Sequence, residues 1–363
     1  MRTGVANLPL HGGKCPAWLF ARMRRMSRAL LEVMLADGPP ESVLERLADP
    51  FWFQALGCAL GFDWHSSGLT TTVCGALKEA LADIRGGLFA AGGKGRTSRQ
   101  TPQEIATLSE QNRLALDPAL LVHASRMAAK VDSAAVQDGY QIYHHSFFFT
   151  AGGQWAVIQQ GMNETSGWAR RYHWLSTTMP DFVCEPHHAV CSQGRAAALN
   201  LVAGEGEPAR RVISELSRQP PDRLVRELKT IQEKTLSLPA RHSLSPCDLH
   251  PDSLAKVLEK SYLAQPPDFA RLLATPGVGA KALRALALLS ELAYGTPPSY
   301  RDPARYSFAH GGKDGFPYPV DRPTYDASIA FLQDAVNRAK MGNQEKLDAF
   351  RNLARRQQPG RSG

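Results

Sequence analysis

Cysteine is scarce in this 363-residue chain, and its spacing suggests no shared site. The six cysteines, Cys15, Cys58, Cys74, Cys184, Cys191 and Cys247, form no Cys-x-x-Cys pair. That pattern argues against a zinc ribbon and against a disulfide framework, and it fits a reducing, cytoplasmic compartment. Long apolar runs are missing as well. No stretch approaches the roughly 18 residues of a membrane span. The first ten residues hold no apolar segment ahead of a small-residue cleavage site, so neither a signal peptide nor a membrane partner is expected. The Walker spacing Gly-x-x-x-x-Gly-Lys-Ser/Thr does not occur, which argues against a P-loop ATPase. No internal repeat is visible.

What is present is ordinary globular material with a basic excess. Hydrophobic residues make up 43% and charged residues 21%, and this length suffices for two or three domains with a real core. The formal charge is +8. A positive balance attracts polyanions and steers their approach without naming the polyanion.

Periodicity predicts helices over 15–36, 41–47, 51–60 and 70–81. The first carries a basic face of Arg22, Arg24, Arg25 and Arg28, and Pro39 and Pro40 end it. Residues 92–99 read as a small-residue basic loop with room for a phosphate at its amides. Thr101-Pro102-Gln103-Glu104 and Asp117-Pro118 each read as a helix opening, with a capping side chain and Pro in the first turn. Aromatic and β-branched residues over 140–149 and 155–160, split by Ala151-Gly152-Gly153, predict a β-hairpin. Further strands are expected over 171–175 and 182–190. From 207 onward the texture is helical and rich in Arg and Lys.

Residues 269–295 carry the sharpest pattern. A short apolar helix runs into Thr275-Pro276-Gly277-Val278-Gly279, and a second helix follows with Leu283, Leu286, Leu289 and Leu292 at helical spacing. Pro276 blocks extension of the first helix, and the two glycines permit backbone angles closed to other residues. The amides opening the second helix lack intrahelical partners, and the helix dipole adds partial positive charge there. A phosphate oxygen suits both, with Lys281 and Arg284 in reach of it. The segment resembles the helix-hairpin-helix modules that grip nucleic-acid backbone, which makes DNA the expected partner. Some DNA glycosylases carry a variant in which the Lys after Gly-Val-Gly-x attacks the sugar and a downstream Asp assists. Lys281 matches that Lys, and Asp302 lies in the right region. The Val-Asp-Thr-His run of those enzymes is absent; Arg301-Asp302-Pro303 stands there instead.

The first half holds the other chemistry-bearing residues. Asp63-x-His65 has the residue types to hold a divalent metal, with Asp132, Asp138, His144 or His187 completing the set. Mn, Mg or Zn at such a site would activate water against a phosphodiester. This makes Asp63, His65, Asp132, Asp138 and His144 the candidate catalytic residues, and Asp63, His65 and His187 the candidate metal ligands. Lys94, and Arg170 and Arg171 beside Tyr172 and Trp174, are candidate phosphate and base contacts. For each histidine the competing reading is a satisfied core side chain, and for the arginine pair it is aromatic packing. Cys74 sits inside an apolar helix pattern, which favours plain burial.

Several stretches resemble an uncharacterised prokaryotic family, domain of unknown function number 763. They are 2–14, ending in His11-Gly12-Gly13-Lys14, together with 51–57, 61–68, 92–95, 137–140, 159–162, 169–174 and 308–315. The resemblance spans about residues 2 to 345. It implies a shared architecture with the hairpin toward the C-terminus, and it carries no activity to transfer.

The expected fold is α+β. A mixed α/β domain over 1–203 contains the hairpin sheet and any catalytic centre. An all-helical domain over 207–356 contains the helix-hairpin-helix, and 357–363 form a polar, disordered tail. The leading functional expectation is a DNA-processing or DNA-repair hydrolase of nuclease type. The alternatives are a glycosylase or lyase using Lys281, a non-enzymatic architectural DNA binder, and a small-molecule enzyme whose hairpin only packs.

Overall fold

The computed structural model describes residues 15–62, 66–234, 251–304 and 322–354. Four helices come first: α1 (Ala17–Asp37), α2 (Pro40–Ala48), α3 (Pro50–Ala59) and α4 (Gly68–Leu81). Next come β1 (Leu88–Lys94), the single turn α5 (Arg96–Arg99), α6 (Thr101–Gln111) and α7 (Pro118–Lys130). The chain then builds β2 (Val136–Gln137), β3 (Gln141–Thr150), β4 (Trp155–Asn163), β5 (Trp168–Leu175), β6 (Ala189–Cys191) and β7 (Leu199–Asn200). Helices complete it: α8 (Glu207–Ser217), α9 (Pro221–Lys234), α10 (Pro251–Ala264), α11 (Phe269–Ala274), α12 (Ala280–Leu292), α13 (Arg322–Arg338) and α14 (Asn343–Ala354). Among the described residues, no helix is long and apolar enough to cross a membrane.

The fold is mixed α/β around an antiparallel sheet ordered β1-β3-β4-β5-β6, with β2 and β7 paired separately. Both faces of the sheet are covered, so alternate side chains feed two apolar layers. Phe147, Phe149, Val157, Tyr172 and Trp174 join one cluster with Met127 of α7, Ile213 of α8, Leu272 of α11 and Leu286 of α12. Phe148, Ala156, Ile158 and Leu175 join the other with Leu30 of α1, Phe53 of α3, Leu77 of α4 and Val336 of α13. Each large side chain buried this way contributes about 1.5–3 kcal/mol. The first cluster runs from Ala91 to Ala304, so one core spans the 203–207 line.

Local chemistry sets the element ends. Asp49 caps α3 by accepting from the amides of Phe51 (2.8 Å) and Trp52 (3.1 Å). Asp117 caps α7 through Ala119 N at 2.9 Å, ahead of Pro118. Thr101, read as a cap, lies inside α6, and its hydroxyl donates to Ser98 O at 2.7 Å. The predicted hairpin is present as β3 and β4, and the 171–175 strand as β5.

Two expectations need correction. Residues 92–94 end the edge strand β1 and 96–99 form α5, so the basic loop over 92–99 is not a loop. Gly92 is required there because a Cβ would stand 2.2 Å from the carbonyl oxygen of His145. The strand over 182–190 shrinks to Ala189–Cys191. Asp181 draws Val183 N into a turn, and Glu185 takes a positive φ of 48° ahead of Pro186.

At the β1 edge of the sheet, Lys78 donates to Gly92 O (2.8 Å) and Glu104 accepts from Gly92 N (2.7 Å). The two side chains pair with each other at 2.6 Å.

Candidate functional site

Alternation along the strands splits the polar residues between the two faces. On the face toward α7, a single π-helical turn, Val131–Ala135, swings Asp132 over the sheet. Its carboxylate is fully buried, and both oxygens are bonded. Oδ2 accepts from Gln159 Nε2 (2.5 Å) and Trp174 Nε1 (2.9 Å), and Oδ1 faces His187 Nε2 at 2.5 Å. Gln159 spends its amide protons on Asp132 and Ala128 O, so its Oε1 accepts from His145 Nδ1 at 2.9 Å. His145 Nε2 then accepts from Ser125 Oγ at 2.9 Å. The neutral ring follows from burial, which pushes His145 down to about 4.

Arg170 lies on the same face and is 1% exposed. Nη1 donates to Asp138 Oδ2 (2.7 Å) and Nη2 to Asp302 Oδ2 (2.9 Å), while Tyr172 OH also donates to Asp138 (2.7 Å). Burial works against this charge, but Asp138 and the other acidic neighbours outweigh it and hold the guanidinium above its ordinary pKa. Asp302 accepts further bonds from Ala196 N and Ala304 N.

Arg171, the next residue, points to the opposite face and is 0% exposed. It donates to His173 Nε2 (2.9 Å), Thr70 Oγ1 (3.3 Å) and Gln54 Oε1 (3.1 Å), and stacks over Phe53. Burial pulls it down to about 10. His173 accepts that bond on Nε2 and so donates Nδ1–H to Leu47 O. His144 shares this face. Its Nε2 meets Ser146 Oγ at 3.1 Å, its Nδ1 has no partner among the described residues, and burial pushes it down to about 3.

The candidate catalytic set is therefore not gathered. Asp132, Asp138 and His187 lie on one side of the sheet and His144 on the other. Asp63 and His65 lie outside the described residues. Among the described residues, no group of three or more His, Cys, Asp or Glu side chains is placed to hold a metal. Arg170 and Arg171 are corrected from surface contacts to core residues, since neither guanidinium is open to a polymer. Lys94 is exposed at the end of β1, 5.7 Å from the Tyr143 ring centroid. Cys74 is buried, and desolvation pushes its thiol up to about 12.

The turn between α11 and α12 is built differently. Asp268 caps α11 through Arg271 N at 2.8 Å, and Thr275 ends it, its hydroxyl donating to Arg271 O. Gly277 takes φ +90° at the exposed tip. Val278 is buried in the first apolar cluster. Gly279 precedes α12, whose N-terminus carries no side-chain cap among the described residues. Lys281 is exposed on the first turn, and the Lys260 ammonium lies beside Gly277. Arg284 donates to Gln137 Oε1 at 2.5 Å, and Gln137 donates to Ala280 O at 2.9 Å.

Both constellations fall within residues 4–320, the span matched by a single family model. The chain belongs to the DUF763 family of proteins of unknown function. The match takes in the sheet and every helix from α1 to α12, and stops short of α13 and α14. No curated protein and no solved structure matches the chain. Sequence reasoning about this family member missed two partners of the turn: Gln137, and Lys130, whose ammonium donates to Leu273 O (2.6 Å), Thr275 O (2.8 Å) and Val278 O (3.1 Å). The available signal was a lone Lys closing an apolar helix face just before the 137–140 motif.

Proposed function

We propose that this protein binds nucleic acid, with DNA the expected polymer, through a helix-hairpin-helix formed by α11 and α12. The supporting observation is the uncapped N-terminus of α12 at a glycine turn seated by buried Val278. The first amides of α12 need acceptors, and a phosphate oxygen supplies one in the field of the helix dipole. Lys281 and Lys260 add exposed cations around the tip, and the +8 charge favours approach of a polyanion. Thr275 and Arg284 brace the turn from within, while Gly277, Gly279 and Lys281 face the ligand. Contacts of this kind position backbone and read no sequence.

A hydrolytic or lyase role lacks support among the described residues. Asp302, the carboxylate expected to assist Lys281, is held by Arg170 instead.

Fluorescence anisotropy with labelled duplex DNA, single-stranded DNA and RNA tests the reading. Micromolar, sequence-independent binding that weakens steeply with salt is expected. Lys281→Glu should weaken it about tenfold and flatten the salt slope. No binding of any of the three polymers at low salt overturns the proposal.

A further inference from the structure

The outer edge of β1 opens into a cleft of about 830 Å³. That size lies within the roughly 300–1,000 Å³ of small-molecule sites. Its walls are two helices on opposite faces of the sheet. Leu77 and Leu81 of α4 join one apolar cluster, and Ile105 of α6 joins the other. Both helices pack on the edge strand, so the space between them continues the plane of the sheet. Gly75 and Ala82 line it from α4, Thr107 and Leu108 from α6, and Phe89 and Ala90 from the strand. A slot of this shape suits a flat body with apolar faces, lying edge-on to β1.

The strand offers that body a specific edge. In an antiparallel ladder, every second residue sends its N–H and C=O away from the partner strand. Gly92 is one of these, since its two groups meet Glu104 and Lys78. Ala90, two residues earlier, points the same way and lines the cleft. Among the described residues, none bonds the Ala90 pair from that side. Such a pair stands side by side and is matched by an acceptor and a donor side by side. The Gly92 end of the slot adds one more of each. Among the described residues, the Lys78 ammonium uses two of its three protons, and Glu104 uses only Oε2.

A nucleobase has the required form. Its faces are apolar enough to pack between side chains, and its edges set ring acceptors beside exocyclic donors. We propose that this slot binds the base of a nucleoside, its edge paired with the Ala90 backbone and its faces held between α4 and α6. Lys78 and Glu104 close the far end and leave one donor and one acceptor for the sugar hydroxyls. The site uses no residue of the α11–α12 hairpin and goes beyond the reading above.

Isothermal titration of the full chain with adenosine, guanosine, cytidine and uridine tests this, with ribose as the control. At least one nucleoside should bind, and ribose should not. Thr107→Trp fills the slot from the α6 side and should abolish the binding. Ala90→Pro removes the outward N–H, spares the ladder to β3, and should weaken binding about tenfold. Amide hydrogen exchange of wild type needs no variant: the Ala90 amide should exchange more slowly once nucleoside is bound. A single-stranded oligonucleotide separates two sources of the base. Nucleoside binding that the strand leaves untouched assigns a free ligand, and displacement by the strand assigns a base within nucleic acid; both place a base in the slot. Failure of all four nucleosides to bind overturns the proposal. So does binding that Thr107→Trp leaves intact, or an Ala90 amide that exchanges equally fast with and without nucleoside. A wild type that binds nucleoside but no polymer sinks the hairpin reading and leaves this one standing.

Discussion

Arg170 and Asp302, 132 residues apart in the chain, meet at 2.9 Å with both side chains out of solvent. The pair ties β5 to the segment that follows α12, and Asp138 shares the guanidinium. Removing the cation strands two buried carboxylates. Arg170→Met should therefore cost about 3–5 kcal/mol, as breaking buried pairs does. Asp302→Asn keeps an acceptor in place and should cost less. Chemical denaturation of the two variants checks both the size and the order; equal stability of Arg170→Met and wild type would count against the network.

Stability should fall as the solution is acidified from pH 7 to pH 5. Burial holds His145 at about 4 and His144 at about 3, against an ordinary value of 6.5. Below about 6.5 the unfolded chain takes up protons that the folded chain refuses until about 4. In that window unfolding binds protons, so stability rises with pH and is lost as pH falls. Each histidine contributes a slope approaching about 1.4 kcal/mol per pH unit. Urea titrations at several pH values should show this slope, and His145→Asn should make it shallower whatever its effect on stability at pH 7.

Gly92→Ala should be destabilising by more than about 1 kcal/mol, because the backbone there has φ +88° and the new methyl group meets the His145 carbonyl. Gly167→Ala makes a useful contrast. It shares a positive φ but has open space around it, so only the conformational cost applies. Melting temperatures should rank wild type above Gly167→Ala, and Gly167→Ala above Gly92→Ala.

Cys74 and Cys191 should resist alkylation in the folded protein at neutral pH. Desolvation pushes both thiols up to about 12, and both are buried. The reactive species is the thiolate, which is scarce under these conditions. Peptide mass spectrometry after iodoacetamide treatment should find both unmodified until denaturant is added. Early labelling of either would show that the face opposite α7 opens readily.

Local pattern was a good guide wherever local chemistry sets the structure. The 70–81 helix, the β3–β4 hairpin and the glycine turn after α11 all follow from periodicity, capping and turn residues within a few positions. Long-range pairing was invisible. Arg170 and Arg171 look alike in sequence, yet strand alternation sends one to Asp138 and Asp302 and the other to Thr70 and Gln54. Asp132 and Asp138 look like catalytic carboxylates for the same reason, since nothing nearby announces Trp174 or Arg170 as their partners. Gly92 was misread because glycine usually marks a loop, whereas here it admits a neighbouring carbonyl to an edge strand.

That edge strand has one more consequence. Lys78 and Glu104 give Gly92 the donor and the acceptor that a sixth strand would have given it. A chain seeking to extend the sheet at this position would have to displace a bonded ion pair. The opposite border is β6, only three residues long. Unprotected sheet borders invite self-association and fibre growth. With Gly92 of one border occupied by an ion pair and the opposite border only three residues long, this aromatic-rich sheet offers a second copy less unpaired edge to extend.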